Sequence, residues 1–341
     1  MAEKGLLKRF SENMDNKDIS IIIVNWNAGD YLRKCLSSIR DSIHANIETI
    51  VVDNNSTDGS PVIIKKEFPW VRLTEQTKNH GYAKANNIGF KLSASPYILI
   101  LNPDTVVEGC SIEAMLDFLK RNPGISIIGP RLIDCTGRMV MNCKKPLPSI
   151  LNDFFRLFLI EKLWHSLIYA LSNIGLFKPL FFSYYDKSED CESVEGSCML
   201  IRREVYETLG GFSEDLPMFL DDYDICYRCR NSGGRVYYLA EATVVHFGQR
   251  SAATRIDRKL YDIMAMQARL FYYRKHYGPG KAVMFRAIVF FSAPYLIALD
   301  FLTLPYYLLR FKLNEKLWVI RKHFKYFEIA LFPDKIVNML G

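Results

Sequence analysis

The run Ile19-Ser20-Ile21-Ile22-Ile23-Val24 constrains this chain more than any other stretch. It is almost wholly apolar and β-branched, with no sustained polar alternation, so it reads as a strand buried on both faces. Asp30 to Ile43 follows with Leu32, Cys35, Leu36 and Ile39 at helical spacing, and Ile47 to Val52 is a second buried run. Strand, helix and strand make a right-handed βαβ unit. Both strand ends then open onto one edge of the sheet, where open α/β sheets bind ligands.

The pattern continues with a short strand at Val71–Thr74, a loop running into a helix over Asn79–Gly89, and a strand at Tyr97–Leu101. A helix at Ser111–Leu119 and a strand at Ile125–Pro130 complete the series, and Arg131–Lys145 reads as irregular or hairpin structure. A strand resumes at Ser193–Ile201, and a short helix over Arg202–Leu209 stops at Gly210-Gly211, as helix C-termini favour. Strands at Arg235–Leu239 and Thr243–Val245 precede a helix at Arg255–His276. The reading divides the chain into a tail (1–17), an α/β domain (18–254) with an aromatic helical insertion (149–185), and a C-terminal helical region (255–341).

That last region carries the most apolar stretch, Ala287–Leu309, broken by Pro294, Asp300 and Pro305. Its length just spans a bilayer. Basic residues stand at both ends, Lys281 and Arg286 before it and Arg310, Lys312 and Lys316 after it, which argues that both ends stay on the cytoplasmic side. A peripheral or re-entrant hairpin on the cytoplasmic face of the cell membrane fits better than a single span, with a core helix pair as the remaining alternative.

The formal net charge of +7 suits phosphate-bearing ligands or anionic lipid. No basic block or nucleic-acid motif stands out, so no nucleic-acid partner is expected. The eight cysteines are scattered; Cys226 and Cys229 form a CxxC without two further ligands at zinc spacing, which points to free thiols in a reducing compartment. No GxGxxG follows the first strand, which argues against a dinucleotide site.

Polar residues cluster at the strand ends. Asp53, just past the second strand, suits a base N–H or ribose hydroxyl, while Asn54–Gly59 is equally an ordinary turn. Lys84 and the neighbouring N–H groups suit a phosphate, or only a solvated helix start. Pro103 fixes the backbone and aims Asp104 off the third buried strand, as a ligand for a hard divalent cation or as a helix cap. Asp221-Asp222-Tyr223-Asp224 crowds three carboxylates into four positions. Such a cluster caps a helix, or it supplies a general base beside a cation or the positive end of a helix.

In this order and spacing, IIIVNWN, VVDNNSTDGS, NHGYAKANNIGF, LILNPDT, EGSCMLIRREVYETLGGFSEDLPMFLDDYDICYR and VVHFGQRS resemble the family 2 inverting glycosyltransferases, especially their rhamnosyltransferase-like branch. The resemblance covers about Ile19 to Ser251. It implies the GT-A fold, a Rossmann-like, mostly parallel sheet flanked by helices, here with a C-terminal membrane-associating extension. It implies a nucleotide-diphosphate sugar donor, with dTDP-rhamnose as the candidate, and a lipid-linked or cell-surface glycan acceptor. It also implies a divalent metal, Mg2+ or Mn2+, as cofactor.

On that resemblance Asp222 is the catalytic base. Asn25, Asp53, Lys84, Asn87 and Asp104 lie on the donor side, and Glu195, Gly196, Asp221 and Asp224 on the acceptor side. Asp104 and His246 hold the metal. Asn102 stands where the family's metal-binding motif has its first aspartate, and Asp221 stands where its base motif has glutamate. Arg250 and Ser251 are expected near the diphosphate. Two rivals are an idle glycan- or nucleotide-binding module and a sugar nucleotidyltransferase; the latter lacks support because Asn25–Gly29 is not a glycine- and arginine-rich loop.

Overall fold

The two buried runs form β1 (Ile19–Asn25) and β2 (Ile47–Asp53), joined by α1 (Gly29–Ser42). A computed structural model describes residues 17–42, 46–140, 143–158, 185–216, 219–248, 258–309 and 313–332. Most of the expected tail and of the aromatic segment lies outside these residues, as do Arg250 and Ser251. After β2 come α2 (Ser60–Glu67), β3 (Arg72–Glu75), α3 (Tyr82–Leu92), β4 (Tyr97–Leu101), β5 (Thr105–Val107), α4 (Ser111–Arg121), β6 (Ile125–Ile133) and β7 (Lys144–Lys145). Then follow α5 (Ile150–Leu157), β8 (Glu189–Cys191), β9 (Ser193–Val194), β10 (Cys198–Arg202), α6 (Arg203–Thr208), α7 (Asp221–Asn231) and β11 (Arg235–His246). Two helices close the described chain, α8 (Arg258–Leu309) and α9 (Leu313–Leu331).

The main sheet runs β3-β2-β1-β4-β10-β6-β11-β5, with β8 added on β11, and β7 pairs β9 in a small second sheet. The expectation of a mostly parallel sheet holds for β3, β2, β1 and β4. Beyond them the sheet is mixed, because β10 inserts antiparallel between β4 and β6. The single strand expected at Ser193–Ile201 is two, since β9 serves the small sheet and β10 the large one, with Glu195-Gly196-Ser197 turning between them. Conversely, the two strands expected at Arg235–Leu239 and Thr243–Val245 are one, with a register shift between Leu239 and Thr243.

The lack of polar alternation in β1 has a direct cause. Ile19, Ile21 and Ile23 pack on one face with Leu32, Leu36 and Ile39 of α1 and Ile112 and Met115 of α4. Ile22 packs on the other face with Ile98, Ile100, Met199 and Ile201, joined by Ile225, Cys226 and Cys229 of α7. Each fully buried isoleucine contributes about 1.5–3 kcal/mol. The Cys226–Cys229 pair is therefore core, and burial, its largest cause, raises both thiol pKa values.

The chain divides into two compact units, 1–147 with 183–215 and 221–255, and 148–182 with 216–220 and 256–341. The sheet belongs to the first. In the second, α5, the described start of the aromatic segment, joins the C-terminal helices: Asp153 accepts from Arg269 Nε at 2.8 Å and from the Tyr273 hydroxyl at 2.7 Å. α8 is two helical segments joined at Gly278 (φ 81°, ψ 177°), with Pro279 opening the second. α9 is tied to α8 at three places. Lys322 Nζ lies 2.8 Å from Asp262, and Arg286 Nε donates to the Ala330 carbonyl at 2.9 Å. Asp300 is gripped by Lys316 Nζ at 2.7 Å and His323 Nδ1 at 2.6 Å.

α3 lies so close to the sheet that a Cβ built on Gly89 meets Ile22 Cγ2 at 2.5 Å and Val52 Cγ2 at 3.2 Å. Glycine to alanine inside a helix ordinarily stabilises by about 0.5–1 kcal/mol. Gly89→Ala is expected to do the reverse, costing about 1–3 kcal/mol as an overpacked core does. A lowered urea midpoint at unchanged slope would register this.

Candidate active site

Asn25 and Asp53 are register partners at the ends of β1 and β2. Both are buried, and Asn25 Nδ2 donates to Asp53 Oδ1 at 2.7 Å and Ser60 Oγ at 2.7 Å. Asp53 Oδ2 accepts the Ser56 N–H at 2.9 Å. The pair thus knits the Asn54–Gly59 loop to the strand ends. Asn54 extends the knitting: its side chain donates to Asn79 Oδ1 at 2.7 Å and accepts the His80 N–H at 2.8 Å, joining this loop to the start of α3.

On α3 the two expected donor-side residues differ. Lys84 is half exposed, with Nζ 3.9 Å from Glu214 Oε2. Asn87 is buried, and all four of its hydrogen-bonding positions go to protein. It donates to the Phe212 carbonyl (2.9 Å) and Glu214 Oε1 (3.0 Å), and accepts from the Tyr206 hydroxyl (2.8 Å) and the Phe212 N–H (2.9 Å). Its amide is committed to the turn at Gly211–Glu214. A Cβ on Gly211, where φ is +76°, would sit 2.4 Å from Asn87 Oδ1, so only glycine fits that turn.

Asp104 and His246 come from separate ends of the sequence. β5 pairs β11 antiparallel with His246 opposite Thr105, and the Phe247 N–H donates to the Asp104 carbonyl at 3.0 Å. This brings His246 Nε2 to 3.5 Å from Asp104 Oδ1, both side chains buried. Burial alone would lower the imidazole pKa, but the hydrogen bond and charge of Asp104, with Glu195 further off, outweigh it and raise it.

The antiparallel β10 puts the turn at its start beside the end of β4, and Asn102 N–H donates to the Ser197 carbonyl at 2.8 Å. Gly196 N–H donates to Asp222 Oδ2 at 3.2 Å, and the Tyr82 hydroxyl donates to the Gly196 carbonyl at 2.9 Å. A Cβ at Gly196 would stand 3.2 Å from Asp222 Cβ, so glycine admits the carboxylate here. Asp222 Oδ1 accepts the N–H of Tyr223 at 2.8 Å.

The acidic cluster forms the first turn of α7, so capping and cleft readings coexist. Asp224 is fully buried and accepts from Ser213 Oγ at 2.7 Å and Arg228 Nε at 2.8 Å. Arg228 also donates to the Leu209 and Gly211 carbonyls. Asp224 and Arg228 thereby tie the Leu209–Ser213 loop to α7. Asp221 is buried beside Asp222, and burial followed by the charges of both raises the Tyr82 phenol well above its ordinary pKa.

Lys145 was not legible as a site residue. β7 pairs β9 with Lys145 opposite Ser193, which sets Lys145 Nζ 3.0 Å from Glu195 Oε2 and 2.7 Å from Asp222 Oδ2. The Tyr223 ring lies 4.2 Å from the ammonium. Burial lowers the Lys145 pKa, yet Asp222, Glu195 and Tyr223 more than offset it and raise it well above the ordinary value.

Among the described residues no group of three or more His, Cys, Asp or Glu side chains could hold a metal. Asp104 and His246 supply one hard oxygen and one imidazole nitrogen in a buried pair. That donor set fits a divalent cation whose remaining ligands are substrate phosphate oxygens and water.

The model of the glycosyl transferase family 2 matches residues 20–210, more than half of the chain, and the protein belongs to that family. An N-acetylglucosaminyl-diphospho-decaprenol L-rhamnosyltransferase of Mycobacterium tuberculosis is 26% identical over 67% of this chain and 75% of its own. The low-salt glycan biosynthesis hexosyltransferase Agl10 of Haloferax volcanii is 24% identical over 67% of each chain. Among solved structures, mannosyltransferase PcManGT from Pyrobaculum calidifontis, in complex with GDP-Man and Mn2+, superposes with a TM-score of 0.53. It is 15% identical and covers 95% of this chain and 89% of its own, a likeness of fold.

His246 titration offers a check on this geometry. Its raised pKa means that the Asp104–His246 pair stabilises the fold fully below the unfolded histidine value and loses that contribution as pH rises through the folded value. In Asp104→Asn the two raising influences of Asp104 go, while burial and the smaller pull of Glu195 remain. The His246 imidazole resonance of the metal-free protein is therefore expected to titrate lower in the variant than in the parent.

Proposed function

We propose that this glycosyltransferase moves a sugar, with inversion, from a nucleotide-diphosphate sugar to a hydroxyl of a lipid-linked or polymeric glycan acceptor, with Asp222 as general base. The observation that supports this most is the convergence of Asp222, over Gly196 at the start of β10, with the Asp104–His246 pair at the ends of β4 and β11. Inversion requires the attacking hydroxyl and the departing diphosphate on opposite faces of the sugar. Asp222 serves the hydroxyl in this reading, and a cation on Asp104 and His246 would serve the diphosphate.

In this reading Asp222 takes the acceptor proton as the new C–O bond forms and the bond to the diphosphate breaks. Asn25, Asp53 and Asn54 hold the loop that meets the nucleoside, Lys84 offers a cation to the diphosphate, and Gly196 leaves room for the sugar. A divalent cation, Mg2+ or Mn2+, held by Asp104 and His246 would supply Lewis-acid stabilisation of the diphosphate charge. The name of the mycobacterial relative favours L-rhamnose as the sugar and a lipid diphosphate sugar as acceptor, and dTDP-rhamnose is the donor tried first.

Thermal shift against nucleotide-diphosphate sugars, with and without Mn2+ or Mg2+, tests the donor side. A donor at a hundredfold excess over its Kd stabilises by about 2.7 kcal/mol. The expected result is stabilisation by one donor, strengthened by metal, with the metal increment lost in Asp104→Ala. Asp222→Asn is expected to keep the donor shift and lower transfer by about 10²–10⁴-fold, the range of a lost general base. Retained transfer in that variant would overturn the assignment.

The C-terminal unit supports attachment to a membrane surface. Among the described residues, Tyr261–Pro305 is the one helical stretch long and apolar enough to cross a membrane. α9, tied along α8, carries Lys316, Arg321, Lys322 and Lys325. Were α8 to cross, these charges would enter hydrocarbon with it, at about 3 kcal/mol each at mid-bilayer. An in-plane pair avoids that and leaves Phe291, Phe301, Leu302 and Phe324 exposed to lipid. With Cys110 and Cys135 replaced, Lys281→Cys and Glu315→Cys are expected to react with impermeant maleimide from the same side. Labelling from opposite sides would establish a crossing.

A further inference from the structure

The site keeps one cation in a place that the transfer reaction, as outlined, does not use. Lys145 reaches Asp222 and Glu195 together, and its side chain is only 13% exposed, against 10% for Asp222 and 27% for Glu195. Its backbone is held firmly: Ser193 Oγ donates to the Lys145 carbonyl at 2.8 Å. The preceding Lys144 is buried, bonded to Glu189 and flanked by the Tyr185 and Tyr238 rings. A long flexible side chain fixed this way has lost its freedom to a single arrangement, at a cost in rotamer entropy of about 1.5–2 kcal/mol. A shielded ion pair adds a desolvation cost to that, so this arrangement is a poor device for stability alone and points to a use at the site.

Resting on the reading of Asp222 as base, we propose that Lys145 is a positioning residue for the transfer step, holding the Asp222 carboxylate in place, with Glu195 sharing the lysine. The groups facing Asp222 are Lys145 of β7, Glu195 of the turn before β10, Tyr82 of α3, and Asp221, Tyr223, Asp224 and Cys226 of its own helix. Arg228 engages Asp224. Lys145 is the cation that reaches Asp222 itself among the described contacts.

One ammonium bridges two side-chain carboxyls. Without it those carboxyls would face each other with no cation between them, and Asp222 would lose the contact that sets it over the Gly196 N–H.

The test uses the full-length protein, transfer from dTDP-rhamnose to a short-chain N-acetylglucosaminyl diphospho-lipid, and the donor thermal shift as a second readout. Lys145→Met is expected to lower kcat by about 10²-fold, the cost of a misplaced reacting group, while the donor KM and thermal shift stay at the parent's values. Lys145→Arg, which can keep the ion pair, is expected to restore most of kcat. If Lys145→Met does not fold, Lys145→Gln takes its place with the same expected loss in kcat alone. A parental kcat in these uncharged variants, or a loss that falls on donor binding instead, would overturn the proposal while leaving Asp222 as base. Transfer surviving in Asp222→Asn would instead remove the base reading on which it stands.

Discussion

Mutual repulsion among carboxylates is the constraint this active site is built around. Asp104, Glu195, Asp221, Asp222 and Asp224 reach one sheet edge from several segments, and all but Glu195 are buried. Every one of them needs an attraction to stay there. Asp104 has His246, Asp224 has Arg228, and Asp222 and Glu195 share Lys145. The first turn of α7 adds the positive end of a helix beneath the aspartates. Negative charge is thereby kept dense at the candidate site.

The sheet is what makes this compensation possible. A wholly parallel sheet would carry strand ends of one polarity to the edge, each followed by a helix. The reversed β10 brings a strand start there instead, so the Glu195–Ser197 turn stands directly beside the end of β4. The small β7–β9 sheet then delivers Lys145 to the same turn. Strand ends and a strand start meet over a few residues, which is how groups from distant segments come to the same edge of the sheet.

Much of this was legible because it is local. β1, β2 and β4 announce themselves by unbroken apolar runs, since helices cover both their faces, and the polar residues just past them mark the edge. Asp104, Asp222 and His246 stand out as charged or titratable side chains immediately flanking such strands or apolar stretches. What was hidden depends on pairing between distant segments. The reversal of β10 leaves no mark in its own residues, because a strand buried on both faces reads alike in either direction. Lys145 lies in a stretch whose pattern suggests only irregular structure, and its role arises from a two-residue pairing. Asn87 shows a use that residue type does not announce. A polar residue on a helix beside the donor loop suggests a ligand contact, yet its four hydrogen bonds close the Gly211–Glu214 turn. Nothing in the residue type separates those uses.

The bond from Asn102 N–H to the Ser197 carbonyl links the Asp104 loop and the Glu195–Ser197 turn through a single peptide contact in the middle of the sheet. Beside it, Leu101 and Cys198 are register partners of the same strand pair. Moving these two segments apart would mean unzipping β4 from β10. The spacing between them is therefore a property of the backbone ladder, and substitutions of the side chains they carry can change their chemistry while the distance between the two backbones stays set.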